Sequence, residues 1–317
     1  MNRRTFLRWS VMGGGLLSLQ SILNCQKSEK RINSAIARRK LGKTGEKLSI
    51  IGFGGIIVRD IDQKLADNTV ARAIDRGVNY FDVAPSYGNA QEKLGPALKP
   101  YRKNSFLACK TLERNKSGAE KELNESLKKL HTDYFDLYQL HALTKKEDVE
   151  TAFGPHGAME LFLKAKKEGK VRYLGFSAHS EDAALLAMQK FDFDTILFPI
   201  NFVCWYHGDF GPQVVAKAKE KQMGILALKA MALTRIPSGE TQPYKKLWYI
   251  PIEDEETANL ALRFTLSLGT TAAIPPGDAR FFWKALDIAE KYKPVTDDEL
   301  NNLKKLASDV IPLFSNV

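Results

Sequence analysis

Residues 105–141 read SFLACKTLERNKSGAEKELNESLKKLHTDYFDLYQLH. Two apolar runs, Ser105–Lys110 and Phe135–His141, bracket a polar stretch from Lys116 to Leu130. Within that stretch Leu123, Leu127 and Leu130 recur at helical spacing, and Ser117 stands at the position expected of an N-cap. The flanking runs are apolar at nearly every residue rather than at every second one. That suits parallel strands covered on both faces, so the segment reads as strand, crossover helix, strand.

The same alternation extends in both directions. Further strands are expected at Ile50–Gly54, Asn79–Ala84, Arg172–Ser177, Thr195–Phe202, Gly224–Ala230 and Ala272–Pro275. Helical patterns fall near Gln63–Asp75, Met159–Glu168, Glu181–Lys190, Pro212–Lys221, Glu255–Leu268, Phe281–Tyr292 and Asp297–Ala307. Eight strands, mostly with a helix between each and the next, argue an α/β fold closed as a (β/α)8 TIM barrel rather than an open sheet. The chain has 317 residues, and one barrel of roughly 250 residues accounts for most of them without a second domain. Ahead of the first strand, Arg39–Leu48 places Gly42 and Gly45 around a turn. It is expected to form a β-hairpin plugging the lower end of the barrel. Met231–Glu253, with Pro237, Pro243 and Pro251, shows no periodicity, and long patternless loops in compact domains are commonly functional.

In such a barrel the chemistry sits at the C-terminal ends of the strands. Three successive strands end in ionisable residues, Asp82, Lys110 and His141, and Tyr87 follows the first on its loop. Singly, each has an ordinary reading as a turn cap, a solvated lysine or a packed histidine. Together at consecutive strand ends they point to acid–base chemistry. A phenol with a free pKa of about 10 is a poor catalyst near neutrality, and an adjacent ammonium is expected to favour its ionised form.

The strings FDVAPSYGNAQEKLG (81–95), FLACKT (106–111) and DLYQLHA (136–142), with the opening hairpin and GFGG (52–55), resemble the aldo-keto reductase family. The resemblance runs from Arg39 to about Tyr292. It implies a catalytic tetrad of Asp82, Tyr87, Lys110 and His141, with Tyr87 as general acid and base in the interconversion of a carbonyl and an alcohol. Lys110, held by Asp82, would tune Tyr87, and His141 would orient the carbonyl oxygen. The resemblance also implies NADP(H), with NAD possible, lying extended over the rim without a Rossmann fingerprint. On that side Ser177 matches the family's strand-5 end, whereas Ala178 stands where Asn is usual. Asn201 is the candidate to replace the family's strand-6 Gln, with Phe202 or Trp205 stacking on the ring. Lys229 is placed to face a phosphate or to enter a salt bridge within the rim. Arg280, after Ile274-Pro275-Pro276-Gly277, is the candidate for the 2′-phosphate. Trp248, Tyr244 and Tyr249 are expected to line the substrate pocket.

The first 25 residues, MNRRTFLRWSVMGGGLLSLQSILNC, resemble a twin-arginine export signal built on Arg3-Arg4. Cys25 ends a segment resembling a lipoprotein cleavage box, which would put the protein in the periplasm or on the membrane through a lipid. Residues 26–38 then read as a polar tether and residues 39–317 as the barrel domain. Of the net charge of +10, half comes from residues 1–31, where Arg3, Arg4, Arg8, Lys27, Lys30 and Arg31 face only Glu29. The remainder forms no basic stripe with interleaved aromatics, which argues against nucleic-acid binding. The five histidines show neither HxH nor HExxH spacing, which argues against a metal-dependent barrel hydrolase. Cys109 is expected in the core and Cys204 at a more accessible place. The partners expected are a small carbonyl or alcohol substrate and the export machinery, with a nucleotide-binding barrel that does not turn over as the alternative function.

Overall fold

A computed structural model describes residues 36–241 and 243–316. The leader, with Arg3, Arg4 and Cys25, and residues 26–35 of the tether lie outside the described residues. Ile36 is buried and Arg38 opens the first strand, so the end of the segment read as tether belongs to the fold.

Strand β1 (Arg38–Lys40) pairs antiparallel with β2 (Lys47–Ser49). The hairpin buries Leu41 and Leu48 completely, in one cluster with Tyr80, Leu197 and Leu226. Gly42 lies in the left-handed region at φ +51°, and a Cβ there would come within 2.3 Å of the Gly224 amide nitrogen. Only glycine permits that approach, and it seats the hairpin against the lower end of the barrel as expected.

The barrel strands are β3 (Phe53–Gly54), β4 (Tyr80–Asp82), β5 (Phe106–Thr111), β6 (Phe135–Leu143), β7 (Val171–Ala178), β8 (Thr195–Pro199) and β9 (Gly224–Leu228). After β10 (Ala232–Arg235) and β11 (Tyr249–Pro251), which pair with each other, β12 (Ala272–Ile274) joins β9. The eight barrel strands are all parallel, in the order β3 to β9 and then β12. The ring closes where the Gly52 amide donates to Ala273 O and the Ala273 amide donates to Ile50 O, both at 2.9 Å. Side chains alternate with the two-residue period of a strand. Tyr80, Phe106, Ala108, Leu137, Leu197 and Leu226 fill the interior, whereas Phe81, Leu107 and Cys109 pack outward under the helices. That parity matters for the site: Asp82, Lys110, Gln139 and His141 stand two or four residues beyond interior positions, so they point inward at the upper end.

The surrounding helices are α1 (Gln63–Asp75), α2 (Ala90–Leu98), α3 (Lys116–Lys129), α4 (Lys146–Phe153), α5 (Ala158–Lys167), α6 (Glu181–Lys190), α7 (Phe202–Tyr206), α8 (Pro212–Glu220), α9 (Glu255–Ser267), α10 (Ala279–Glu290) and α11 (Asp297–Ser308). Three of these carry little sequence signal: α2 contains Pro96, and α4 and α7 are short. The N-cap of α3 is Asn115 rather than Ser117. Asn115 Oδ1 accepts from the Gly118 amide at 2.8 Å, and the Ser117 hydroxyl donates to the same oxygen. The strand expected through Phe202 ends at Pro199, because Asn201 Oδ1 accepts from the Cys204 amide at 2.8 Å and starts α7. Cys204 is consequently buried in the core, not accessible. Among the described residues no helix is long and apolar enough to cross a membrane.

Candidate active site

Lys110, on the inward face of β5, is fully buried. Its ammonium donates to Asp82 Oδ1 at the end of β4 and lies 3.4 Å from both the Tyr87 hydroxyl and the Val83 carbonyl oxygen. The second carboxylate oxygen of Asp82 accepts from the Tyr80 hydroxyl at 3.3 Å and from Gln139 Nε2 at 3.2 Å. The carboxylate is thereby spent on three partners, which is how a buried charge is held. Asp82 and its hydrogen bond push the Lys110 pKa well above the ordinary value against the opposing effect of burial.

Tyr87 reaches back over this pair from the β4–α2 loop. Its ring meets that of His141 edge to face at 5.8 Å, and the Lys110 ammonium lies 5.1 Å from its centre. Burial pushes the Tyr87 pKa up, and Lys110 only partly offsets this. The expectation that Lys110 would hold Tyr87 toward its phenolate is therefore corrected. With burial, and secondarily the Asp82 carboxylate, opposing Lys110, Tyr87 is a protonated phenol near neutrality.

His141 is aimed by a bulge in β6. The pairing with β7 shifts register between Leu140 and Leu143, and Ala142 takes a left-handed φ of +54°. The Ala142 amide donates to Ser177 Oγ at 2.8 Å, and Arg114 donates to the His141 carbonyl oxygen at 2.8 Å. Burial and the nearby Lys110 hold the His141 pKa well below its ordinary value, so the imidazole is neutral. Its Nδ1 is buried without a hydrogen-bond partner among the described residues.

These side chains open into a cavity of about 200 Å³ at the upper end of the barrel, lined also by Ser177, His179, Lys229, Trp248 and Tyr249. Of the residues read as cofactor contacts, Ser177 and Lys229 line this cavity. Among the described residues Lys229 makes no salt bridge there. Its ammonium lies 5.0 Å and 4.6 Å from the ring centres of Trp248 and Tyr249. Asn201 does not face the cavity, since its side chain caps α7. Phe202 is buried in the core, and Trp205 packs edge-on against Phe264 at 6.0 Å, so neither stacks over the cavity. Tyr244 also points away, packing on Phe281 at 5.3 Å with its hydroxyl on Glu253. Arg280 lies outside the cavity, in a neighbouring groove of about 570 Å³ with Arg72, Tyr244, Lys246 and Trp283. There it forms a two-pronged pair with Asp278, at 3.0 and 2.8 Å.

His179, absent from the expected site residues, also lines the cavity. Its Nε2 is buried without a partner among the described residues, its ring stacks on Phe314 at 5.3 Å, and burial brings its pKa down to about 4. Position parity is the sequence signal for it: two residues beyond inward-facing Ser177, a residue continuing β7 points to the same rim.

A sequence profile of the Aldo/keto reductase family matches residues 50–274. This chain belongs to that family, and it is accordingly an oxidoreductase of the NAD(P)-dependent, carbonyl-reducing kind. It is 27% identical over 240 residues to the uncharacterized oxidoreductase YqkF of Bacillus subtilis, covering 70% of this chain and 75% of that one. It is 26% identical over 220 residues to the L-galactose dehydrogenase of Arabidopsis thaliana, covering 62% and 66%. Among solved structures, the holo form of aldo-keto reductase AKR11C1 from Bacillus halodurans superposes with a TM-score of 0.69. That match spans 88% of this chain and 98% of the other at 23% identity, a likeness of fold.

Proposed function

We propose that this chain is an NADP(H)-dependent oxidoreductase that interconverts a carbonyl group (aldehyde, ketone or keto-sugar) and an alcohol, with Tyr87 as general acid and base. The observation that carries this reading is the chain Asp82–Lys110–Tyr87 meeting a neutral His141 in one cavity. When bound, the dinucleotide supplies or accepts the hydride. Tyr87 hands its proton to the carbonyl oxygen, which His141 steadies with an N–H donated from a neutral ring. Lys110, kept charged by Asp82, stabilises the phenolate left behind.

The donor set fits a nicotinamide dinucleotide. Ser177 and the unpartnered Nε2 of His179 offer polar contacts to a carboxamide, and His179 compensates for the Asn that Ala178 replaces. Lys246 lines both the central cavity and the neighbouring groove, which suits a ligand running from one to the other. In the groove Arg280 is the cation of the first turn of α10, where the helix N-terminus adds its own attraction for phosphate. Asp278 works against it. It occupies the N-cap and engages Arg280 on both prongs, so it repels a 2′-phosphate and keeps its partner occupied.

The test is carbonyl-dependent oxidation of NADPH and NADH by the wild type and by Asp278→Asn. Asparagine caps a helix as well as aspartate does, while its side chain frees Arg280. The variant is expected to raise the preference for NADPH over NADH about tenfold, equivalent to about 1.4 kcal/mol. A wild type that oxidises neither with any carbonyl would defeat the enzymatic reading, and an unchanged ratio would remove Arg280 from the 2′-phosphate site.

The leader supports export by the twin-arginine route to the periplasm, with Cys25 as a lipid anchor and the dinucleotide carried across inside the folded barrel. Replacing Arg3 and Arg4 together by Lys is expected to leave the full-length chain in the cytoplasmic fraction. Unchanged recovery from the periplasm or membrane would sink the export reading.

A further inference from the structure

Lys229 follows β9 at the upper rim in a left-handed conformation, φ +66°. A residue with a Cβ is strained there, and such strain persists mainly where the surroundings impose it at a functional place. Its ammonium faces Trp248 and Tyr249 and, among the described residues, meets no carboxylate. Of the side chains lining the cavity, Lys110, Lys229 and Lys246 are cationic and Asp82 alone is anionic. Asp82 is committed to Lys110, Tyr80 and Gln139, and Lys246 donates to the Ile57 carbonyl oxygen at 2.7 Å. Among the described residues, then, Lys229 is the lysine of this cavity whose ammonium has only aromatic rings against it, while Lys246 is satisfied by a backbone carbonyl. Burial alone lowers the Lys229 pKa to about 8, the mark of a charge without compensation.

Its place relative to the chemistry narrows the ligand. Tyr249 lies against Lys229 on one side and feels Tyr87 on the other, and His141 and His179 both feel the Lys229 charge. Lys229 and Tyr249 thus share one cavity with the proton donor Tyr87 and with His141. We infer that Lys229 anchors an oxyanion of the substrate, so that the compound reduced here bears a carboxylate or phosphate a few bonds from its carbonyl. This rests on the reductase reading above. The dinucleotide's pyrophosphate would offer Lys229 the same oxyanion chemistry. Contiguity with Tyr87 and His141 inside a cavity of about 200 Å³ favours the substrate instead.

The experiment pairs each acid with its neutral counterpart: glyoxylate with acetaldehyde, and succinate semialdehyde with butanal. NADPH-linked reduction is followed with the full-length enzyme, and NADPH affinity is measured in parallel. In at least one pair the wild type is expected to prefer the acid tenfold or more in kcat/KM. Lys229→Met lowers that ratio at least tenfold, chiefly through the KM of the acid, while NADPH affinity stays within about threefold. Met and Lys carry the same backbone cost at positive φ, and Lys229→Arg, which keeps the charge, should restore most of the ratio. Absence of acid preference in the wild type overturns the inference. So does a tenfold loss of NADPH affinity in Lys229→Met with the acid ratio unchanged, which would assign Lys229 to the pyrophosphate. If no aldehyde is reduced, the reductase reading itself has failed, and calorimetric titration with succinate decides the anchor. Binding lost in Lys229→Met upholds it; no binding, or equal binding, overturns it.

Discussion

Tyr87→Phe is expected to cut carbonyl reduction by about 10³-fold, within the range of about 10² to 10⁴ typical of a positioned general acid. The substitution removes one oxygen and keeps the ring. The edge-to-face contact with His141 and the approach of the Lys110 ammonium to the ring both survive. Lys110 loses a contact at 3.4 Å but keeps its bond to Asp82, so the fold should lose no more than about 1 kcal/mol, the size of one hydrogen bond. On the proposed mechanism the loss appears in turnover and not in dinucleotide affinity, because the groups proposed to hold the dinucleotide, Ser177, His179 and Arg280, are untouched. Single-turnover reduction alongside a titration of NADPH separates the two. Turnover within threefold of the wild type would remove Tyr87 from the mechanism.

The pH dependence follows from the same geometry. With Tyr87 as the proposed proton donor, reduction would need it protonated, and burial keeps its pKa above the ordinary value of about 10. His141 is held neutral from below its ordinary value of about 6.5 upward. Reduction should accordingly show a plateau from about pH 6.5 to about 10 on these two groups, while alcohol oxidation, which needs the phenolate, climbs across it.

How much of this was legible in the sequence divides along a physical line. The barrel and the convergence of Asp82, Lys110 and His141 are consequences of periodicity. Parallel strands announce themselves by continuous apolar runs, and the two-residue alternation says which end residues face inward. The rim is not periodic, and there sequence pattern does not specify where side chains point. Asn201 looks like the continuation of an apolar strand, yet its side chain caps α7 and turns Phe202 and Trp205 away. The left-handed residues that shape the site are Ala142 and Lys229. Neither is a glycine, the usual marker of such a turn, so the bulge that aims His141 and the strain at Lys229 leave no trace in composition. The pairing of β10 with β11, which brings Trp248 and Tyr249 over the cavity and turns Tyr244 outward, joins segments separated by a proline-rich loop without periodic signal.

The second large effect concerns stability. Lys110→Met is expected to destabilise the fold by about 3–5 kcal/mol, the cost of stranding one member of a buried ion pair. Lys110 is wholly buried and Asp82 nearly so, and among the described residues Lys110 is the carboxylate's ion-pair partner. Tyr80 and Gln139 still donate to Asp82 in the variant but carry no charge, so the carboxylate must take up a proton or unfold the site. Asp82→Asn in the wild-type background should cost a similar amount, now because the ammonium is stranded. Combining the two removes both charges and should recover most of the loss, since a pair replaced by neutral groups of like volume is often close to neutral in stability. Urea denaturation of the four proteins measures this coupling; additive losses in the double variant would show that the pair contributes only packing. The sign of the pH dependence gives a separate check. Lys110 has a folded-state pKa raised above the unfolded value of about 10.4, so its contribution is complete below that pH and fades as pH rises through the folded value. The wild type should therefore lose stability to alkali faster than the double variant, while the two should run parallel between about pH 6 and 9.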